Sequence, residues 1–226
     1  MDLATRVSPV RRMPPSQEIL DGLARIANQW RPIAIAWHLS LGVCLIALLL
    51  GWRPQRRLAG ILLAVPLGSV SVLAWAGGNP FNGTVFAAVM IALIGVALSW
   101  PRDPVRVGGP WLWIPGCLLL AFGWTYPHFL QADSWAIYLY AAPMGLIPCP
   151  TLSVVGGACL LLDGLGSRWW SPMVAAPGLL YGVIGAFRLG VRIDVVLVVG
   201  AVILAVVPVA YLRREAAALS GDRLSP

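Results

Sequence analysis

Long apolar runs separated by short polar turns fill the chain from Ile33 to Leu212. Each run is close to the roughly 20 residues that an α-helix needs to cross the hydrocarbon core of a bilayer. The pattern therefore predicts an all-α polytopic transmembrane helix bundle. Its spanning segments are expected at about 33–51, 58–76, 83–100, 111–126, 138–162, 172–187 and 195–212.

The fifth of these segments, 138–162, contains the sequence Pro148-Cys149-Pro150. Proline has no backbone N–H, so a helix that continued through this point would lose two hydrogen bonds. If the interrupted segment crosses the bilayer, the bundle has seven spanning helices. If it re-enters on the same side, there are six, and both termini are cytoplasmic.

The N-terminal region differs from the bundle because it alternates apolar and polar positions. Residues 1–15 are polar and predict a disordered tail. From Ser16 to Trp30 the apolar residues recur at helical spacing, which predicts an amphipathic helix. This helix lies either at the membrane interface or against a neighbouring helix. The expected division is thus 1–31 for the tail and interfacial helix, 32–212 for the bundle, and 213–226 for a polar C-terminal tail.

Composition agrees with a membrane protein and excludes several other classes. Hydrophobic residues make up 59% of the chain and charged residues 11%, with a mean hydropathy of +0.81. A soluble domain is about a quarter charged. The net charge of +7 comes from arginines in turns and tails, where they set topology, so we expect no nucleic-acid partner. No catalytic motif is present, and we expect no enzymatic activity.

The Pro148–Thr151 stretch is the strongest candidate site. In a continuous helix its prolines would leave the carbonyls of Met144 and Leu146 without donors, and such groups must be enclosed by protein or line a wet cavity. Free carbonyls and a thiol could bind a soft metal ion or another cation. The candidate binding residues are Cys149, Pro148, Pro150, Thr151, Met144 and His128. The alternative is a proline-kinked packing element with a small buried cysteine.

Other ionisable residues carry weaker hypotheses. His38 lies one turn into the first spanning segment, and an ionisable residue there is a functional candidate by default. Asp194 opens the last segment, where it is expected to cap the helix N-terminus and to pair with Arg188 or Arg192. The metal, if one binds at Cys149, is not identified by the sequence, and no other cofactor is predicted.

Four short motifs together resemble a family of small bacterial integral membrane proteins catalogued as a domain of unknown function. They are Asn79-Pro80, Tyr126-Pro127, Pro148-Cys149-Pro150-Thr151, and Leu189-Gly190-Val191 followed by Asp194. The resemblance covers the chain from about residue 28 and implies a multi-pass protein of the bacterial cytoplasmic (inner) membrane. Family members often carry an aromatic–histidine pair before the Asn-Pro turn, whereas this chain has Trp75-Ala76 there.

The functional expectation is a small permease, or an ion- or metal-binding membrane protein, centred on Cys149. The alternative is a non-enzymatic accessory or structural subunit whose backbone breaks serve packing against a partner. A haem or quinone redox protein is a third and weaker hypothesis. The expected partners are the lipid bilayer and either a second copy of the chain, as in a homo-oligomer, or another membrane protein.

Overall fold

The computed structural model describes residues 15–221, with side chains as far as residue 209. The molecule is 77% helical, and no β-strand forms in this part of the chain. Its α-helices are α1 Ser16–Gln29, α2 Arg31–Leu49, α3 Arg56–Ala76, α4 Pro80–Leu98, α5 Pro110–Thr125, α6 Tyr138–Ala141, α7 Pro148–Leu161, α8 Trp170–Val183 and α9 Val195–Gly221. A π-helical turn, Ile184–Arg188, extends α8, and a 3₁₀ turn, Arg192–Asp194, precedes α9.

Within the described residues, five helical stretches are long and apolar enough to cross a membrane. They are α2, α3, α4, α8 with its π turn, and Arg192–Val209. Helices α5 and α7 are apolar but shorter. This confirms the prediction of an all-α, multi-pass membrane protein. Apart from the break before α7 and the C-terminal end of α9, the helix ends lie within a few residues of the predicted segments, because prolines and glycines in the turns mark those ends in the sequence.

Helix α7 lies at the centre of the bundle. It packs against α5, α8, α3 and α9, and every residue from Pro150 to Leu160 is buried. Its closest neighbour is α5, because glycines let the two backbones touch. A Cβ atom on Gly157 would lie 2.6 Å from the backbone nitrogen of Leu120, and one on Gly123 would lie 2.6 Å from the carbonyl oxygen of Pro150. Small residues at such contacts are typical of helix packing in lipid.

The predicted interruption exists, but its position differs from the expectation. The backbone leaves helical geometry over Ala142–Ile147, upstream of the prolines, and α7 begins at Pro148. The first-turn N–H groups of a helix have no intrahelical partner, so prolines at positions 148 and 150 remove no bond that the helix needs. The loss of donors at Met144 and Leu146 was expected for a helix that continues through the prolines, and α7 instead begins there.

Side chains from α1 cover the end of the bundle at which α2 and α4 begin. Leu20, Leu23, Ile26 and Trp30 pack against a buried cluster that includes Tyr126 and Leu146. Asn28 also donates a 2.8 Å hydrogen bond to the carbonyl of Phe129 in the loop after α5. The predicted disordered tail lies almost entirely outside the described residues, and α9 continues as helix to Gly221, past the expected end of the bundle at residue 212.

Candidate functional site

The non-helical segment before α7 is enclosed by protein, and its backbone donors are satisfied. All residues from Ala141 to Pro148 are buried. The N–H of Met144 bonds the carbonyl of Ala142, and those of Leu146 and Ile147 bond the carbonyl of Pro143. The N–H of Gly145 donates to Thr151 Oγ1 at 2.8 Å, and that hydroxyl donates to the carbonyl of Ile147 at 2.7 Å. Broken backbone in a membrane protein requires such pairing.

A buried carboxyl group lies beside this segment. Asp194 is 1% exposed, and the hydroxyl of Tyr126 donates a 2.7 Å hydrogen bond to its Oδ1 atom. Tyr126 follows the last residue of α5 and is itself fully buried. Arg192 is exposed, whereas the Asp194 side chain turns into the bundle. The carboxyl group thus faces the tyrosine and not Arg192, one of the two arginines that the sequence suggested as its partner.

The thiol of Cys149 completes the immediate surroundings of this carboxyl group. Its Sγ atom donates to the carbonyl oxygen of Tyr181 at 3.9 Å. The thiol is a neighbour of Asp194, and its hydrogen bond goes to this carbonyl and not to the carboxyl group. Cys149 belongs to the first turn of α7, in which Pro148 and Pro150 carry no backbone N–H.

The π-helical turn after α8 makes room for the carboxyl group. A Cβ atom on Gly185, inside that turn, would collide with Asp194 Oδ2. The absence of a side chain at Gly185 thus lets the carboxyl group lie against the backbone of α8. Turns of this kind are frequent at functional sites in α-helices.

The polar contacts continue into α8 and α4. The hydroxyl of Tyr181, a residue that is 7% exposed, donates a 2.8 Å hydrogen bond to Asn82 Oδ1. We call the resulting set the buried polar network; it consists of Asn82, Tyr126, Cys149, Tyr181 and Asp194. It joins α4, α5, α7, α8 and the start of α9 near one end of the bundle.

The candidate binding residues predicted from the sequence have different roles in the structure. Cys149 belongs to the buried polar network, whereas Pro148 and Pro150 only begin α7 and Thr151 holds the bend in front of it. Met144 is 2% exposed and lines an apolar groove next to α2. Among the described residues, no group of three or more His, Cys, Asp or Glu side chains could hold a metal ion.

The two histidines lie apart from each other. The ring of His128 packs edge-on against Phe129 at 4.3 Å in the loop after α5, and partial burial lowers the pKa of this histidine below its ordinary value of 6.5. His38 is buried, with Nδ1 2.8 Å from the carbonyl of Ala34 and Nε2 2.9 Å from the carbonyl of Trp124.

Sequence reasoning missed Tyr126, Tyr181 and Asn82 as members of the network. Their partners are 68 positions away for Tyr126 and 99 positions away for Tyr181, so no local pattern connects them. The available signal was Asp194 itself, an acid at the start of a strongly apolar segment. Intramembrane acids of this kind are functional candidates by default.

Together, the fold and the network define a multi-pass helical membrane protein with an acidic polar centre. No protein-family model, curated protein or solved structure matches this chain. The resemblance to the family of small bacterial membrane proteins therefore stays a prediction.

Proposed function

We propose that the chain is a small permease, or a related ion-binding membrane protein, that takes up a cation at Asp194, in the simplest case a proton. The observation that carries the proposal is the burial of this carboxyl group, 1% exposed, against a hydroxyl and a thiol. An ionised carboxylate pays a large desolvation cost in apolar surroundings. A proton or another cation removes most of that cost.

Each neighbour has a definable role in such a site. Tyr126 orients the carboxyl group by donating to Oδ1. The same hydroxyl stabilises the carboxylate once the cation has left, because a hydrogen bond to an ionised acceptor is stronger than one to a neutral acceptor. The Cys149 thiol donates to the carbonyl of Tyr181 and packs beside the carboxyl group as a small, weakly polar neighbour.

The broken helix supports the permease class in particular. Transporters commonly place their ion sites where a discontinuous helix begins again inside the membrane. Here α6 and α7 are separated by the buried Ala142–Ile147 segment, and the polar network lies at the restart. The sequence suggested a site centred on Cys149. The site proposed here is centred on Asp194 and includes Cys149 and Tyr126.

Our proposed topology has seven crossings, with α6 and α7 together forming one of them. Helix α7 is only about 21 Å long at 1.5 Å per residue, against a hydrocarbon core of about 30 Å. The turns that carry Arg53, Arg102 and Arg168 then share one side of the membrane. The positive-inside rule makes that side cytoplasmic, and α1 lies at the opposite interface of a bacterial inner membrane.

Infrared difference spectroscopy on the purified full-length protein tests the ion site. We expect acidification to produce the band of a protonated carboxyl group that is absent in Asp194→Asn. The matched control is Asp133→Asn, which alters an exposed loop carboxylate and should leave that band unchanged. A titration that is identical in wild type and Asp194→Asn would contradict the proposal.

Reconstituted vesicles with a trapped pH-sensitive dye test the permease part separately. Under an imposed membrane potential, we expect the wild type to pass protons and Asp194→Asn to pass them at least about tenfold more slowly. This corresponds to an activation barrier that is higher by about 1.4 kcal/mol or more. If the wild-type flux equals that of empty vesicles while the infrared band persists, the chain binds protons but does not conduct them.

The accessory-subunit hypothesis keeps one supporting observation. The buried polar network connects five helices, so it would also fasten a purely structural bundle. Under that hypothesis Asp194→Asn lowers stability without any change in proton uptake. The two experiments above therefore discriminate between the two functions.

A further inference from the structure

An apolar groove runs along α2, on the side that faces α3 and α7. Its cavity volume is about 140 Å³. Representative lining residues are Cys44 and Leu48 from α2, Leu62 and Pro66 from α3, and Ala158 and Leu161 from α7. Ser40 also lines it, but its hydroxyl is already bonded to the carbonyl of Ala36 at 2.8 Å. A cavity of this size with apolar walls stays dry and accepts apolar ligands.

The groove is closed at its inner end by Trp37. The indole of this residue packs on Gly145, where a Cβ atom would collide with it, and its N–H donates to Ser69 Oγ at 3.2 Å. The outer end lies at Trp52 and Pro54, just after α2. From Trp37 to the end of α2 at Leu49 the helical rise amounts to roughly 18 Å. One leaflet of the hydrocarbon core is about 15 Å deep, so the groove accommodates an acyl chain of that leaflet.

The groove exists because α2 is loosely attached to the rest of the bundle. Only 11% of its spanning window is buried, against 50% for α3. The side-chain hydrogen bonds that hold α2 to other helices lie in its N-terminal half. There, His38 bonds the carbonyl of Trp124 and Trp37 bonds Ser69. Towards Leu49 a groove opens between α2 and the α3–α7 face, although Leu48 still contacts the core.

The outer end of the groove is positively charged. The segment that closes it, Trp52–Ala59, contains three arginines and no acidic residue. Arg53 is exposed, and its Nη1 atom donates to the carbonyls of Leu48 and Trp52 at 2.7 and 3.0 Å. This holds the guanidinium at the C-terminus of α2, beside the mouth of the groove. Arg56, by contrast, is engaged with the carbonyls of Leu165 and Gly166.

We propose that this groove binds one anionic phospholipid, with an acyl chain between α2 and the α3–α7 face and the phosphate at Arg53. The apolar walls match the acyl chain, and the guanidinium matches a phosphate, for which arginine has suitable donor geometry. The lipid acts as the packing partner that α2 lacks in its C-terminal half. The proposal does not depend on the ion site at Asp194.

Native mass spectrometry of the full chain released from detergent tests this proposal. We expect one phosphatidylglycerol molecule to remain bound per chain, in preference to phosphatidylcholine. Cys44→Trp fills the groove from α2 and should weaken this binding by about tenfold, because methylene groups of the lipid lose their apolar contacts. Val43→Trp is the matched control, since Val43 is 67% exposed on the outer face of α2.

A second pair of variants tests the headgroup contact. Arg53→Ala should remove the preference for phosphatidylglycerol over phosphatidylcholine, whereas Arg102→Ala, an exposed arginine at the same end of the bundle, should keep it. Ala158→Leu fills the groove from α7 and should reproduce the effect of Cys44→Trp if that variant folds poorly. Equal lipid retention by Cys44→Trp and Val43→Trp would overturn the proposal. A dimer that Cys44→Trp dissociates would overturn it as well, by showing that a second chain fills the groove.

Discussion

The hydroxyl of Tyr126 donates a 2.7 Å hydrogen bond to the carboxyl group of Asp194, 68 positions further along the chain. This contact joins the end of α5 to the start of α9, near the first turn of α7. Both side chains are buried, at 0% and 1% exposure. Replacement of Tyr126 by phenylalanine should leave the carboxyl group without its hydroxyl donor.

We therefore expect Tyr126→Phe to lower the free energy of unfolding by about 0.5–1.5 kcal/mol, the usual net contribution of one intramolecular hydrogen bond. Reversible unfolding in mixed micelles measures this difference. Tyr140→Phe is the control, because Tyr140 is 52% exposed. Loss of its hydroxyl should have no measurable effect on stability. Equal stabilities for the two variants would show that the Tyr126 hydroxyl contributes nothing.

Thr151 should be required for the bend that precedes α7. Its hydroxyl accepts from the N–H of Gly145 and donates to the carbonyl of Ile147. Thr151→Val leaves the N–H of Gly145 without a partner in a buried site, so we expect a loss of about 1–3 kcal/mol in stability. Thr151→Ser retains the hydroxyl and should recover most of that loss, as judged from thermal unfolding of the two proteins in the same detergent.

Gly145 should tolerate no side chain. Its φ angle is +74°, a left-handed conformation that costs other L-residues about 1–2 kcal/mol, and a Cβ atom would strike the indole of Trp37. We expect Gly145→Ala to lower the thermal unfolding midpoint and to expose Trp37, which a shift in tryptophan fluorescence would report. Gly95→Ala is the control, since nothing lies within 4 Å of a Cβ atom there. An unchanged midpoint for Gly145→Ala would contradict the described bend.

His128 should make the protein less stable in mild acid. Partial burial lowers its pKa below the value of 6.5 that it has when unfolded, so the folded state disfavours the charged ring. The corresponding stability is complete above the unfolded pKa and is lost as the pH falls from there through the folded pKa. His128→Gln should flatten this part of the stability–pH curve, measured as unfolding midpoints from neutral pH down to about pH 5, above the ordinary carboxyl range. Identical curves for the two proteins would rule out this contribution.

The helices themselves could be predicted because hydropathy and turn residues are local signals. The Asn79-Pro80 pair illustrates this: the Asn79 side chain accepts from the N–H of Asn82, and Pro80 is the first residue of α4. A helix start of this kind is visible in the sequence. The pattern also predicted an interruption before residue 162, and its burial inside the bundle followed from the cost of unpaired backbone in lipid.

The position of the interruption was predicted wrongly because proline has two opposite meanings. Inside a helix it breaks hydrogen bonds, whereas in the first turn it breaks none. The sequence Pro148-Cys149-Pro150 fits either case. The decisive feature is Gly145, three residues earlier, whose left-handed conformation forms the bend. Asp194 was misread for a similar reason, since only the packed structure determines whether a carboxyl group at a helix start faces solvent or the bundle.

The central position of α7 has a consequence for how the protein is made. A helix of about 21 Å, interrupted at its start, is a poor substrate for insertion on its own, because neither its length nor its broken end suits lipid. Its neighbours α5 and α3 are synthesised earlier, but α8 and α9 emerge from the ribosome later. A chain truncated before α8 should therefore retain α7 at the translocon or expose it to quality-control proteases. Insertion of α8 and α9 would then fix the membrane topology of the nascent chain.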